Sequence, residues 1–449
     1  MWNPEAVDAL KDGLARAVGI EVHGRVAACR GNLVSAEGLG GFAGVGDPCR
    51  IRLRPGDGGE VAAEVVGFAG DTAYLMPYEE IAGMRPGTDL RLDPGFGELR
   101  PDRTWRGRVI DAFGDPIDGK GPLPCGARAY PIQGRPVPAQ RRRLVERRLH
   151  LGVRALDLFT PCCHGQRLGI FAGSGVGKSS LMAMLAARSD ADVLVVGLIG
   201  ERGRELNEFL RHTLGEAGLA RSVVVVATSD MPAMMRRRAA YMTLTVAEHL
   251  RDEGLNVLCL MDSVTRFALA LREIHLAAGE PPTTRGYPPS VFAELPRLLE
   301  RAGPGEGLGT ITGLFTVLVE GDDTNEPVSD TVRGILDGHV IMDRRIAEAG
   351  RYPAIDVLRS VSRTAPGCYA SDEWPVVQRA RRLLQAHEEN KDLVTLGAYK
   401  RGANALLDEA IRLKPEIEDL LAQRLDEPRN ADDDPFAALA AVLAMRAPI

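Results

Sequence analysis

An apolar run, Leu168-Gly169-Ile170-Phe171-Ala172, passes directly into Gly173-Ser174-Gly175-Val176-Gly177 and then into Lys178-Ser179-Ser180. Strand, glycine-rich turn and a helix opening on Lys-Ser is the plan of a phosphate-binding loop. Its glycines let backbone N–H groups and a helix N-terminus close around a polyphosphate. Within that cradle, Gly173, Ser174, Gly175, Val176, Gly177, Lys178, Ser179 and Ser180 are the candidate nucleotide-binding residues. Lys178 is placed to reach the β and γ oxygens, and Ser179 to hold magnesium. Ala172 stands where the G-x-x-x-x-G-K-[ST] pattern has its first glycine. A strand end tolerates that small residue, so the chain is expected to bind a nucleoside triphosphate.

Such a loop needs a parallel sheet around it, and 449 residues leave room for that sheet and further domains. A formal net charge of −6 provides no general attraction to nucleic acid or acidic lipid. The seven cysteines are odd in number and scattered, so neither a disulfide framework nor a zinc site is expected, and a reducing cytoplasm fits. No apolar run reaches the ~20 residues of a membrane-spanning helix, and the N-terminus lacks the plan of a signal peptide. Membrane association would therefore be peripheral.

Along the chain, Trp2, Val7, Leu10, Leu14 and Val18 mark a short amphipathic helix over residues 1–19, either an attachment helix or one that packs onto its own chain. Short β-rich runs (Glu21–Ala28, Cys49–Arg54, Glu60–Phe68, Thr72–Pro77, Asp89–Leu92) predict a small β-barrel over 20–95. A proline-rich connector from Pro116 to Pro138 leads to the basic stretch Arg141–Arg148. Without interleaved aromatics, that stretch reads as a solvated or subunit-contacting surface, and no nucleic-acid partner is expected. The runs Leu168–Ala172, Val193–Ile199, Val223–Ala227, Val257–Met261, Ile311–Val319 and Val340–Met342 alternate with helices, which predicts a mostly parallel α/β sheet within 96–370. Helices over Val376–Glu389, Asn404–Arg412 and Glu416–Arg424 predict a C-terminal helical bundle in 371–449, with a loose polar tail from Pro428 to Asp434.

Three further groups belong beside the loop. Asp262 ends an apolar strand and is placed to bind the hydration shell of magnesium, a role compatible with capping the next helix. Glu201, in Gly200-Glu201-Arg202-Gly203-Arg204-Glu205, is the candidate base for water, or a carboxylate favoured by a helix N-terminus. Arg202 and Arg363 are candidates for the positive charge that phosphoryl transfer requires, although pattern alone leaves Arg363 one surface arginine among many.

With Asp118-Gly119-Lys120-Gly121, Gly286-Tyr287-Pro288-Pro289-Ser290 and Tyr352-Pro353-Ala354-Ile355-Asp356, these motifs resemble the catalytic subunit of rotary ATP synthases and its relatives in type III protein export. The loop from Gln166 to Ser179 and the segment Glu320–Pro327 most resemble the flagellum-specific export ATPases. The resemblance spans residues 20–425. It implies a P-loop (RecA-like) ATPase acting as a homohexameric ring, with magnesium and ATP bound between subunits. Glu201 would polarise water, Arg202 contact the γ-phosphate region, Arg363 reach the adjacent subunit's site and Tyr352 lie against adenine. It also implies a stator-like regulator at the N-terminal helix and a central coiled-coil stalk meeting the Asp408–Gln423 region. Export-gate membrane proteins, export substrates and their chaperones complete the implied partners, at the inner face of the cytoplasmic membrane. An injectisome ATPase is the alternative within the family. A noncatalytic ring subunit is the alternative from another class, and Glu201 argues against it.

Overall fold

The computed structural model describes residues 21–53, 59–145, 147–319, 326–427 and 434–445. The expected N-terminal helix, the Glu320–Asn325 segment and most of the polar tail lie outside the described residues. The chain divides into two compact units. One runs up to Glu98 and includes 232–234 and 274–280; the other takes the remainder from Leu99.

In the first unit six antiparallel strands close into a barrel. They are β1 (His23–Arg30), β2 (Leu33–Glu37), β3 (Pro48–Arg52), β4 (Glu60–Ala69), β5 (Thr72–Pro77) and β6 (Asp89–Leu92), in the order β1-β2-β5-β4-β3-β6. Alternation sets the two faces of each strand. Val26, Val34, Ala36, Ile51, Val65, Leu75 and Leu90 fill the interior. Outward-facing Arg50 and Arg91 pair with Asp93 and Glu60 at 2.9 and 3.1 Å.

The second unit is built on a nine-stranded sheet among the described residues. Its strands include β7 (Arg108–Ile110), β8 (Arg167–Ala172), β9 (Val193–Ile199), β10 (Ser222–Ala227), β11 (Asn256–Asp262), β12 (Thr310–Leu318), β13 (Gly338–Met342) and β14 (Ile355–Ser362). The order is β14-β13-β8-β12-β11-β9-β10-β7. From β13 to β7 the neighbours are parallel, and β14 joins the edge antiparallel to β13. Helices cover the sheet: α1 (Lys178–Arg188), α2 (Ala233–Asp252), α3 (Val264–Ala277) and α4 (Pro289–Leu299). After β14 come α5 (Glu373–Glu389), α6 (Ala405–Leu421) and α7 (Pro435–Ala444). Leu383, Leu413 and Leu439 of these last helices share one core with Leu168, Leu185 and Ile355.

Four sequence expectations change. Helix α6 is continuous through Pro415, where two helices were expected. Its buried stripe Leu407, Ala410, Leu413, Ile417 and Leu421 keeps helical spacing across the proline, which is itself exposed, so packing outweighs the one lost backbone hydrogen bond. Strand β14 and helix α7 were not anticipated. In the basic run, expected as a solvated or subunit-contacting surface, Arg141 and Arg142 pair with Glu306 and Glu300 at 2.6 and 2.9 Å, and Arg148 pairs with Glu373. Finally, Cys163 and Cys368 form a disulfide where none was expected. The two residues are 205 apart in sequence, yet folding brings their Cα atoms to 6.5 Å, and spacing cannot reveal such proximity. Among the described residues no helix is long and apolar enough to cross a membrane.

Candidate functional site

The carboxyl ends of β8, β9 and β11 bring the chemistry together, as open parallel sheets do. The phosphate loop leaves β8, Glu201 follows β9, and Asp262 closes β11. Within the loop Val176 is buried and anchors the turn, while Ser174 and Gly175 stand exposed at its tip. Gly177 has φ 91° and directly precedes α1. A Cβ there would come within 3.2 Å of the Tyr352 ring, so this position needs glycine for both backbone and space. Lys178, Ser179 and Ser180 then form the first turn of α1, with the last two exposed.

Lys178 Nζ is the hub of the site. It donates to Asp262 Oδ1 and lies 3.6 Å from Glu201 Oε1. Asp262 Oδ1 also accepts from Thr316 Oγ1 on β12 at 2.6 Å. The three ionic side chains are each at most 13% exposed, so their fields are little screened. Burial pushes the Glu201 carboxyl up to about 7. Lys178 opposes that rise, Asp262 and a hydrogen bond with Glu205 add to it, and Arg266 opposes it. Glu201 Oε1 is buried without a hydrogen-bond partner among the described residues. A carboxyl of this pKa can accept a proton near neutral pH, and its Oε1, in ionic contact with Lys178 but without a hydrogen bond, keeps the capacity to orient a water.

Tyr352 is 43% exposed beside Gly177, an open aromatic face next to the loop. Arg202 stands apart from the cluster: its side chain is 75% exposed and its carboxylate neighbour is Glu205 at 3.6 Å. Arg363 is not brought to the loop of its own chain. Ser362 pairs with Gly338 at the amino end of β13, beside the start of β8, whereas the loop leaves the far end. The strand rise puts about 15–20 Å between those levels, beyond the reach of one side chain.

Sequence reading missed three contributors. Arg266 on α3 faces Glu201 electrostatically, its Nε is buried without a hydrogen-bond partner among the described residues, and its stem packs on Gly200, where φ is +72°. Its position four residues past Asp262 was the available signal. Thr316 is one of three threonines in β12, and nothing local singles it out. Arg344 donates to Ser174 O at 3.1 Å across the loop tip, and nothing local marks it.

No group of three or more His, Cys, Asp or Glu that could hold a metal occurs among the described residues. The available donors are the Ser179 hydroxyl and the Asp262 carboxylate, a sparse oxygen set. That set suits magnesium, which takes one or two protein oxygens and completes its shell with phosphate and water.

Comparison with known proteins places this geometry. The nucleotide-binding domain of the ATP synthase alpha/beta family matches residues 152–362, and the β-barrel domain of that family matches 26–91. The C-terminal domain of the type III secretion ATPase EscN matches 370–440. The "Flagellum-specific ATP synthase" of Caulobacter vibrioides is 54% identical over 430 residues, covering 94% of this chain and 96% of that protein. The "Type 3 secretion system ATPase" of Xanthomonas euvesicatoria is 47% identical, covering 90% of each. Among solved structures, the assembled ATPase EscN in complex with its central stalk EscO, from the type III secretion system of enteropathogenic E. coli, aligns with a TM-score of 0.85 at 37% identity, covering 94% of this chain and all of that one. The chain is therefore an ATPase of the ATP synthase alpha/beta family, in the branch of the flagellum-specific ATP synthases and type III secretion ATPases.

Proposed function

We propose that this chain hydrolyses ATP to energise protein export through a flagellar type III apparatus, as a homohexameric ring with each site shared between neighbours. The observation that carries the hydrolytic part is Glu201, a buried carboxyl held near pH 7 within 3.6 Å of the loop lysine. Phosphates entering the loop take Lys178 from Asp262, which frees that carboxylate. Ser179 and Asp262 would hold magnesium alongside the nucleotide, and the ion would supply positive charge to offset that of the phosphates. Glu201 accepts the proton of the attacking water. Arg202 has the exposed reach to swing toward the γ-phosphate region, and Tyr352 offers its face to adenine. Arg363, remote from its own loop, serves the adjacent subunit.

Export substrates and their chaperones, export-gate membrane proteins, a coiled-coil stalk meeting Asp408–Gln423 and a stator-like regulator at residues 1–19 are the proposed partners. The proposed place is the cytoplasmic face of the membrane. The flagellar reading is supported by the loop sequence Ala172–Ser179 and the 54% relative. The secretion reading is supported by the 47% relative.

The deciding experiment replaces the ATPase of a flagellated host with this chain or its Lys178→Ala form. Export of filament protein by the first and not by the second is expected. Phosphate release without restored filament export would set the flagellar reading aside in favour of secretion.

A further inference from the structure

Gln166 lies fully buried in the turn that begins β8, between the disulfide and the two residues that flank Arg363. Its Oε1 accepts from the Cys163 amide at 2.9 Å and from Thr364 Oγ1 at 2.7 Å. Its Nε2 donates to Ser362 Oγ at 2.8 Å. Thr364 Oγ1 is in turn 3.8 Å from Cys368 Sγ. The Arg363 amide donates to Asp337 O at 2.9 Å, and Arg167 fixes the Asp337 carboxylate at 3.1 Å. Two tethers thus run from the 163–167 turn to the Arg363 segment, one covalent and one hydrogen-bonded. Beyond them Pro366 and Gly367 are exposed, and Arg148 Nε donates to Cys368 O at 2.6 Å.

We propose that the Cys163–Cys368 disulfide is a redox-sensitive clamp that, with Gln166 as a positioning residue, holds Arg363 at the angle a neighbouring subunit's site requires. The inference rests on the trans role given to Arg363 above. In a reducing compartment a disulfide is generally transient and regulatory. A dithiol operates the clamp. Its thiolate attacks Cys368 Sγ, since Cys368 retains 4% exposure whereas Cys163 is fully buried. The Cys163–Cys368 bond breaks, the Cys163 thiolate leaves and takes a proton, and a mixed disulfide forms at Cys368. The second thiol of the reagent then displaces Cys368, which is protonated; the reagent ends as a disulfide, and its two electrons reside in the two cysteine thiols. With the clamp open, a misplacement of about 1 Å at the arginine costs on the order of 10²-fold in rate. The loop of the same subunit, at the other end of the sheet, keeps its affinity.

The test uses the assembled full-length ATPase, oxidised or treated with dithiothreitol, with thiol state verified by alkylation and mass measurement. Reduction is expected to lower kcat tenfold or more, while binding of a fluorescent ATP analogue stays unchanged. Cys163→Ser is expected to show the reduced-state kcat with or without dithiol. Gln166→Ala and Thr364→Val are expected to lower kcat, and Thr364→Ser to recover it. Equal kcat in verified oxidised and reduced rings overturns the proposal, as does a parallel loss of nucleotide binding, which would mark general loosening. Arg363→Ala separates the two readings. A variant that turns over normally refutes the trans role itself; a variant that is slow yet still slowed further by dithiol refutes the clamp alone.

Discussion

Replacing Glu201 by Gln separates stability from catalysis, because the same buried carboxyl bears on both. Burial raises its pKa from 4.5 to about 7 in the folded protein. A raised acid favours the folded state when protonated, and that advantage is lost as pH rises through 7. By linkage, the ionised carboxyl costs the fold about 3 kcal/mol at pH 8 and under about 1 kcal/mol at pH 5. Glutamine keeps the shape and never ionises, so Glu201→Gln should be the more stable protein at pH 8, with most of the gain gone at pH 5. Groups that do not interact with Glu201 cancel in that difference. Hydrolysis should respond in the opposite sense: kcat falls by about 10²–10⁴ when a general base is removed. In the wild type, kcat should climb through pH 7 as Glu201 ionises. Urea midpoints at pH 5 and pH 8, phosphate release across the same range and binding of a fluorescent ATP analogue provide the measurements. A Glu201→Gln protein destabilised equally at both pH values, or turning over at more than about a tenth of the wild-type rate, would refute the assignment.

Lys178→Ala should abolish ATP-analogue binding, and Arg363→Ala should bind yet turn over about 10³–10⁵-fold more slowly. Tagged mixed rings of the two should recover phosphate release, since some interfaces then hold both groups; verified mixed rings with no activity above either parent would refute a shared site. Thr316→Val, at a fully buried position, removes the hydroxyl that Asp262 accepts from, and should cost about 1–3 kcal/mol in a denaturant titration. Tyr352→Ala should raise KM for ATP with a smaller effect on kcat, and Tyr352→Phe should leave both near wild type; a Tyr352→Ala enzyme with normal KM would remove the ring from the base contact.

What the sequence disclosed depended on whether a feature is written along the chain or across it. The phosphate loop is contiguous, and each of its residues has a local reason, so all of Gly173–Ser180 was legible. Asp262 and Glu201 were legible for a related reason: each follows an apolar strand, and a parallel sheet collects its carboxyl ends at one edge. The barrel was legible from strand texture, although Leu33–Glu37 passed unnoticed between glycines. Arg266, Thr316 and Arg344 were missed because their meaning is a contact with another element. Arg142 and Arg148 looked like free charge for that reason too, since their acids lie 158 and 225 residues away.

The disulfide is the sharpest case. Counting seven scattered cysteines argued against pairing, and only the return of the chain along β14 sets Cys368 against Cys163. The same return explains why Arg363 was hard to place. An antiparallel edge strand ends at the amino side of a parallel sheet, so a residue on it is carried away from the loop it would otherwise be assumed to serve. Its position is remote from its own loop, which is what motivates the proposed trans role, and the groups that hold it there are the ones least visible in sequence: a buried glutamine, two hydroxyls and a bond between distant cysteines. A ring enzyme whose arginine acts in trans depends on that remote edge being rigid. If Arg363 acts in trans as proposed, rigidity at the far end of the sheet becomes a requirement of catalysis, supplied by groups remote from the loop of their own subunit.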